Sequence, residues 1–332
     1  MPADASGAVE SEAVSPEFSV VITTYNEEEN IARLLDSIQK QKLKPVEIII
    51  VDDSTDRTPE IIMSYSKSLP IKLVKREYRI GSENSILLGL QMAKCKYVVL
   101  LHADQELTEG FFEKVLDPLK NDQIGAVGVT QLIPPGAREI DKLFSSFRGT
   151  GVEKDRFVRH IITGAYKKEV LEKVGYFDPS YKACAEIDLS RRIVNSGYKI
   201  LKFSQAQVYL WEGSSSDTLF KKFKREVYYS KPIPRFCLKY PDYIKWPLLQ
   251  LGPLTFPLAF FFHWYLRLLL LYFLAFSLHS SIVAYRKLRN PKLSLLAFLF
   301  RPVRLLFYSY GFLLGILALM SGRSTRASTI KP

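Results

Sequence analysis

Short apolar runs alternating with helical periodicity constrain this chain more than any other feature. FSVVIT (18–23), VEIIIV (46–51), IKLVKR (71–76), KYVVLL (96–101) and IGAVGV (124–129) have strand length and β-branched content. Between them Ile31, Leu34, Leu35 and Ile38 recur at helical spacing, as do Ile86, Leu87, Leu90 and Ala93. Strand and helix in this rhythm predict an α/β fold, a mostly parallel sheet with helices on both faces.

Such sheets bind ligands at the carboxyl ends of their strands. Three loops stand there: TTYNEEEN (23–30), DDSTDRT (52–58) and HADQE (102–106). Glu27, Glu28 and Glu29 fall in the first turn of a helix, where negative charge is favourable in any case. Ser54, Thr55 and Asp56 can cap the next helix, whereas Asp53 faces the crevice beside the strand end. Asp104 and Glu106 flank a short turn and are hard oxygen donors suited to a divalent cation that also grips phosphates. Neither GxGxxG nor GxxxxGKT occurs, which argues against a dehydrogenase or a P-loop enzyme.

Of the 332 residues, those from Asp217 onward carry 18 Lys/Arg against 3 Asp/Glu, leaving 28 against 31 before them. The positive charge thus flanks the apolar segments, which points to a membrane and anionic headgroups rather than nucleic acid. TLFKKFKREVYY (218–229) places Leu219, Phe220, Phe223 and Val227 on one helical face among basic residues, the pattern of an interfacial helix. Trp246 to about Tyr285 is almost continuously apolar, long enough for two short passes or one pass plus an interfacial segment, and the basic segments on either side favour the hairpin under the positive-inside rule. RKLRNPK (286–292) and RPVR (301–304) then read as a basic loop, and Leu305–Met320 as a third span. The expected organisation is a disordered lead (1–17), a catalytic domain (18–216), a basic interfacial segment (217–245), a transmembrane region (246–321) and a polar tail (322–332). Cys95, Cys184 and Cys237 show no metal spacing and read as free thiols in a reducing compartment.

SVVITTYNEEENIARLLDSI, IIIVDDSTDRT, RIGSENSILLGLQMAKCKYVVLLHADQEL and AEIDLSRRIVNSGYKI together resemble family-2 glycosyltransferases of the GT-A fold, over roughly residues 18–215. The resemblance implies transfer of a sugar from a nucleotide-diphosphate donor with inversion, with Mn²⁺ or Mg²⁺ as cofactor. It implies that Thr23 and Tyr25 lie against the nucleoside, Glu27 near base or ribose, and that Asp53 hydrogen-bonds the base. Asp104 occupies the second acidic position of D-x-D and is implied to meet the metal. Glu106 falls where polyprenol-phosphate sugar synthases place another ligand, and Arg225 is the candidate diphosphate contact. Glu186 matches the acidic position that supplies the catalytic base. Its neighbour Asp188 is expected to pair with Arg192 along one helix, a structural role that leaves Glu186 unexplained except by function.

His102 replaces the first aspartate of D-x-D; imidazole is a poor ligand for Mg²⁺ and an acceptable one for Mn²⁺. In VYLWEGSSS, Glu212 stands near Trp211 where the family often has histidine. Arg148, Arg156 and Arg159, in a long loop, read either as receivers of an anionic acceptor or the diphosphate, or as a solvated face. The apolar tail motivates a polyprenyl-phosphate or lipid-linked glycan acceptor and a multi-pass cell-membrane protein with its catalytic domain in the cytoplasm, where nucleotide sugars are found. Rival readings are a transferase for a non-lipid acceptor, a silent scaffold hinted at by His102, and a nucleotidyltransferase, which would need a Gly-rich basic first loop. A processive synthase would need QxxRW, which is missing.

Overall fold

The computed structural model describes residues 16–79, 81–147, 154–211, 218–255 and 263–321. The expectations for the lead, for Arg148, for Glu212 and for the polar tail fall wholly or almost wholly outside them.

The alternating runs form β1 (Phe18–Thr24), α1 (Ile31–Gln39), β2 (Glu47–Asp52), α2 (Thr58–Ser64), β3 (Ile71–Lys75), α3 (Ser82–Met92) and β4 (Tyr97–His102). Then come β5 (Gln105–Leu107), α4 (Phe111–Leu116), β6 (Ile124–Leu132), α5 (Glu139–Phe147), β7 (Arg156–Val158), β8 (Gly164–Lys167) and α6 (Lys168–Val174). The α/β half closes with α7 (Ala185–Asn195) and β9 (Lys199–Leu210).

Among the described residues nine strands form one sheet, ordered β3-β2-β1-β4-β8-β6-β9-β5 with β7 on β9. β3, β2, β1 and β4 are parallel, as expected. β8 runs antiparallel to both β4 and β6, so the whole sheet is mixed. Gly164 makes that insertion possible, because a Cβ there would collide with the Val127 carbonyl.

Strand alternation divides the core in two. Val20, Ile22, Ile48 and Ile50 pack under α1, α2 and α4, while Val21, Ile49 and Val51 pack with Ile86 and Leu90 of α3. The order 3-2-1-4 reverses direction between β1 and β4, and the crevice at such a switch point is where an open α/β sheet takes its ligand. The register sets Thr23 beside His102 and Thr24 beside Asp52 at that edge.

The basic segment departs from a simple headgroup-facing helix. α8 (Leu219–Ser230) leaves Lys221 and Lys224 exposed but buries Lys222, whose ammonium pairs with Asp141 at 2.8 Å. Asp141 also accepts a two-pronged contact from Arg138. Removing one partner of a buried pair of this kind costs about 3–5 kcal/mol, so the contact ties α5 to α8. Beyond α9 (Ile233–Lys239) and α10 (Lys245–Leu249), the described residues of the expected hairpin at 246–285 show a 3-10 turn at Gly252–Thr255 and one long helix, His263–Leu288, rather than two helical passes.

A second long helix, Pro291–Met320, follows Arg289 and Asn290. RPVR is therefore not a loop: Arg304 sits within that helix and pairs with Glu226 of α8 at 2.6 Å. Asn290 caps it by accepting from the Leu293 N–H. Among the described residues these two helices are long and apolar enough to cross a membrane, where three spans were expected. Gly311 and Gly315 let the second helix approach the end of α8 closely, since a Cβ would strike Ser230 at Gly311 and the Lys231 carbonyl at Gly315.

Gly89 sets the approach of α3 to the sheet: a Cβ there would stand 2.5 Å from Val21 Cγ1. Gly89→Ala is expected to cost about 1–3 kcal/mol, the usual penalty of overpacking a tight core. Chemical denaturation of the full-length protein in detergent checks this, and an unchanged midpoint would contradict the packing described.

Candidate active site

The loops after β1 and β2 are laced together before they meet anything else. Ser54 Oγ accepts from the Asn26 N–H at 2.8 Å, and Asn26 Oδ1 accepts from the Thr55 N–H at 2.9 Å. Asn26 adopts φ 57°, a left-handed conformation that asparagine tolerates. Asp56 caps α2, accepting from the N–H of Thr58 at 3.1 Å and its hydroxyl at 2.6 Å. Asp52 is wholly buried, takes the Thr24 hydroxyl at 2.6 Å and pairs with Lys75 at 2.9 Å. It builds the floor. Asp53, also buried, accepts from Ser85 of α3 at 3.3 Å.

Above that floor the carboxylates gather. Glu27 is pushed up to about 7, first by burial, then by the nearby Asp104; an Asn30 hydrogen bond and Arg225 act in the opposite direction. Burial holds the His102 imidazole below its ordinary value against the pull of Asp104, so at neutral pH its ring is uncharged. Glu27, Asp104, His102 and Arg225 therefore share one neighbourhood, brought together from β1, β4 and α8. Glu27 thus stands beside Asp104 and Arg225. Half-exposed Tyr25 has a different neighbour, Arg79, whose guanidinium lies 3.9 Å over its ring.

Glu106 is oriented by another contact. Its Oε2 accepts from the Trp211 indole at 2.8 Å, just beyond the β5–β9 pairing.

A second group lies where α7 begins. Glu186 is half-buried and pushed up to about 7, chiefly by burial; its own backbone N–H opposes the shift and Glu83 of α3 adds to it. Besides burial, the Tyr228 phenol of α8 feels Glu83, Tyr229, Arg79 and Glu186. Asp188 makes the expected pair with Arg192 at 2.8 Å and also takes Lys239 at 2.6 Å and Tyr240 at 2.8 Å. Arg191 adds a two-pronged bond to Asp242 at 2.8 and 2.7 Å, so α7 is fastened to the segment that leads into the apolar helices.

Arg225 and Tyr228 are one turn apart on α8, a rise of roughly 4.5 Å. The charge of Arg225 bears on Glu27, and the charges of Glu83 and Glu186 bear on Tyr228. Arg156 and Arg159 are exposed on and beside β7. Arg79, Glu83 and Tyr228 are given no role by the sequence reading, although each lies in a segment it singles out (RIGSEN and TLFKKFKREVYY): Glu83 looks like a helix-dipole preference, and the partners of Arg79 and Tyr228 come from other elements.

This sheet order and crevice define a GT-A glycosyltransferase fold. The structure resembles the mannosyltransferase PcManGT from Pyrobaculum calidifontis, solved with GDP-Man and Mn2+, at 18% identity and TM-score 0.53, covering 94% of this chain and 76% of that one. Residues 19–175 match the family model for glycosyl transferase family 2, and the chain carries a domain of that family. It is 30% identical over 171 residues to the poly-beta-1,6-N-acetyl-D-glucosamine synthase of Staphylococcus epidermidis, covering 48% of this chain and 42% of the relative. It is 28% identical over 181 residues to the dolichol-phosphate mannosyltransferase of Pyrococcus furiosus, covering 51% of each. The chain spans about half the length of the curated relatives it matches.

The raised value of Glu186 carries a stability cost. A carboxyl neutral in the fold up to about 7, against 4.5 when exposed, loses folded-state stability as pH rises between those values. Glu186→Gln is expected to gain in Tm over wild type across that window, with the gap constant above it. Melting curves in detergent from pH 4.5 to 8 check this; a gap that narrows as pH rises would contradict it.

Proposed function

We propose that the protein is a membrane-anchored inverting glycosyltransferase that moves a sugar from a nucleoside-diphosphate donor to a lipid-linked acceptor. The observation that carries the reading is the match of residues 19–175 to glycosyl transferase family 2 on a sheet whose switch-point edge, between β1 and β4, carries the loops of Glu27 and Asp104, with Glu186 at the start of α7. That edge suits a leaving diphosphate and Glu186 an attacking acceptor.

On the donor side, Thr23, Tyr25 and Asp53 line the end of the sheet against the nucleoside, with Arg79 closing over Tyr25. Asp104 and Glu27 bring negative charge to a half-buried crevice, and neutral His102 offers a lone pair. Among the described residues no three His, Cys, Asp or Glu side chains stand together as a metal site, so a divalent cation here would take Asp104 as its protein ligand and rely on the donor's phosphate oxygens and water for the rest. The imidazole favours Mn²⁺ over Mg²⁺. When bound, the cation offsets the charge that develops on the departing phosphate. Arg225, reaching down from α8, supplies a second positive charge to the same oxygens.

On the acceptor side, inversion needs attack from the face opposite the leaving group. Glu186 takes the proton from an acceptor hydroxyl, and a value near neutrality suits that task. A lipid phosphate is already anionic and would use Glu186 for position alone. The two long apolar helices motivate the lipid. Their outward side chains, among them Trp264, Leu271, Leu295 and Leu306, are more than half exposed, which a bilayer would cover. The cytoplasmic placement follows from the donor, since nucleotide sugars are cytosolic.

Membranes containing the protein, incubated with labelled UDP- and GDP-sugars, Mn²⁺ and polyprenyl phosphate or lipid-linked glycans, test the proposal. Label is expected in the organic phase, and Glu186→Gln is expected to lower it about 10²–10⁴-fold when the acceptor attacks through a hydroxyl. In that case kcat/KM rises with pH up to about 7 and then levels, because only ionised Glu186 accepts the proton. A transfer that survives Glu186→Gln without a pH limb identifies a phosphate acceptor. No turnover of any donor would overturn the reading.

A further inference from the structure

Glu106 looks, from its place two residues after Asp104, like a metal ligand. Its contacts give it other work. The Trp211 indole donates to Glu106 Oε2 at 2.8 Å, and the Trp211 backbone N–H donates to the Asp104 carbonyl at 2.8 Å. Over the face of the indole, the Arg33 guanidinium stacks 4.0 Å from the ring centroid. Arg33 then donates to Asn30 Oδ1 at 3.0 Å, and Asn30 donates to Glu27 Oε2 at 2.9 Å. Arg33 and Glu106 also line an open groove of about 620 Å³ between α1 and β5, with Asp36, Lys40 and Glu109.

We infer that Glu106, Trp211 and Arg33 form a positioning relay that fixes both donor-side carboxylates, and that Glu106 acts as a latch on Trp211 rather than as a metal ligand. The inference rests on the donor-site reading above. Trp211 is the hub: its backbone holds the turn that carries Asp104, while its ring seats the arginine that, through Asn30, aims Glu27. The indole is a donor only, so its partner must present an acceptor oxygen but need not be charged. The stack asks for a planar cation, which lysine does not supply.

These requirements separate a latch from a ligand. Glu106→Gln keeps an oxygen for the indole and exchanges an anionic oxygen for a neutral amide one, a weaker ligand for a divalent cation. The experiment is isothermal titration of the detergent-solubilised full-length protein with Mn²⁺, then with UDP and with GDP in saturating Mn²⁺. Glu106→Gln is expected to bind within about threefold of wild type. Glu106→Ala, Arg33→Ala and Arg33→Lys are expected to lose about tenfold or more, the usual effect of removing an outer partner of a metal site. Asp104→Asn is expected to lose at least as much. The lysine variant guards against a mere folding defect, because it keeps length and charge while losing only the stack. Trp211→Phe, which keeps the ring and the backbone N–H, is expected to fall between wild type and Glu106→Ala.

Loss in Glu106→Gln equal to that in Asp104→Asn would overturn the latch and make Glu106 a ligand. A weakened Asp104→Asn beside unchanged Glu106→Ala and Arg33→Lys would overturn the relay and leave the donor site standing. An unchanged Asp104→Asn would overturn the donor-site reading and the relay with it.

Discussion

Negative charge held in a half-buried crevice is the constraint on which the rest of this structure depends. The parallel strands β1, β2 and β4 end side by side, and each delivers a carboxylate or its loop to the same edge. Crowded carboxylates disfavour one another's ionised form, and burial adds to the effect. Glu27 shows both, rising to about 7 beside Asp104. The fold answers in two ways. Asp52 is neutralised internally by Lys75 and Thr24, and Arg225 comes down from α8. In the proposed donor site, what is left suits a divalent cation and the diphosphate it would accompany.

α8 makes the apolar helices part of this argument. Its Phe223 packs edge-on against Phe144 and Phe300 and stacks on Phe307, while Glu226 meets Arg304. One face of α8 is therefore fastened to the second long helix. On the same helix, Arg225 bears on Glu27, and Tyr228 feels Glu83 and Glu186. The catalytic half and the apolar half are packed through shared side chains: Cys184 and Tyr181 lie in one cluster with Phe236, Tyr308 and Phe312. In the proposed membrane-bound state, this would hold the crevice at a fixed attitude to the lipid surface and place a lipid-linked acceptor within reach of Glu186.

Much of this was legible in the sequence because its causes are local. Apolar runs of strand length and helical spacing depend on near neighbours, and they located β1 to β4 and put Asp104 just beyond a strand end, whereas Glu186 was singled out through the family resemblance. The Asp188–Arg192 pair was read from its four-residue spacing. Distant partners were not legible. Trp211 meets Glu106 from 105 positions away, and Lys222 meets Asp141 across two helices. RPVR read as a loop because two arginines and a proline rarely sit within a membrane helix. Glu226 and the carboxyl-terminal half of α8 supply the partner that makes it helical. β8 was not legible as a strand, because four residues beginning at Gly164 carry little apolar signal; the close backbone approach expected of Gly164 is what lets it lie between β4 and β6.

The most direct measurement is a structure of the full-length protein with Mn²⁺ and a nucleoside diphosphate. The account predicts the base against Tyr25 and the diphosphate between Asp104 and Arg225. The space beside Glu186 should remain open for the acceptor, and Glu106 should stay on Trp211. A nucleotide bound away from the β1–β4 edge, in the groove between α1 and β5 for example, would contradict it.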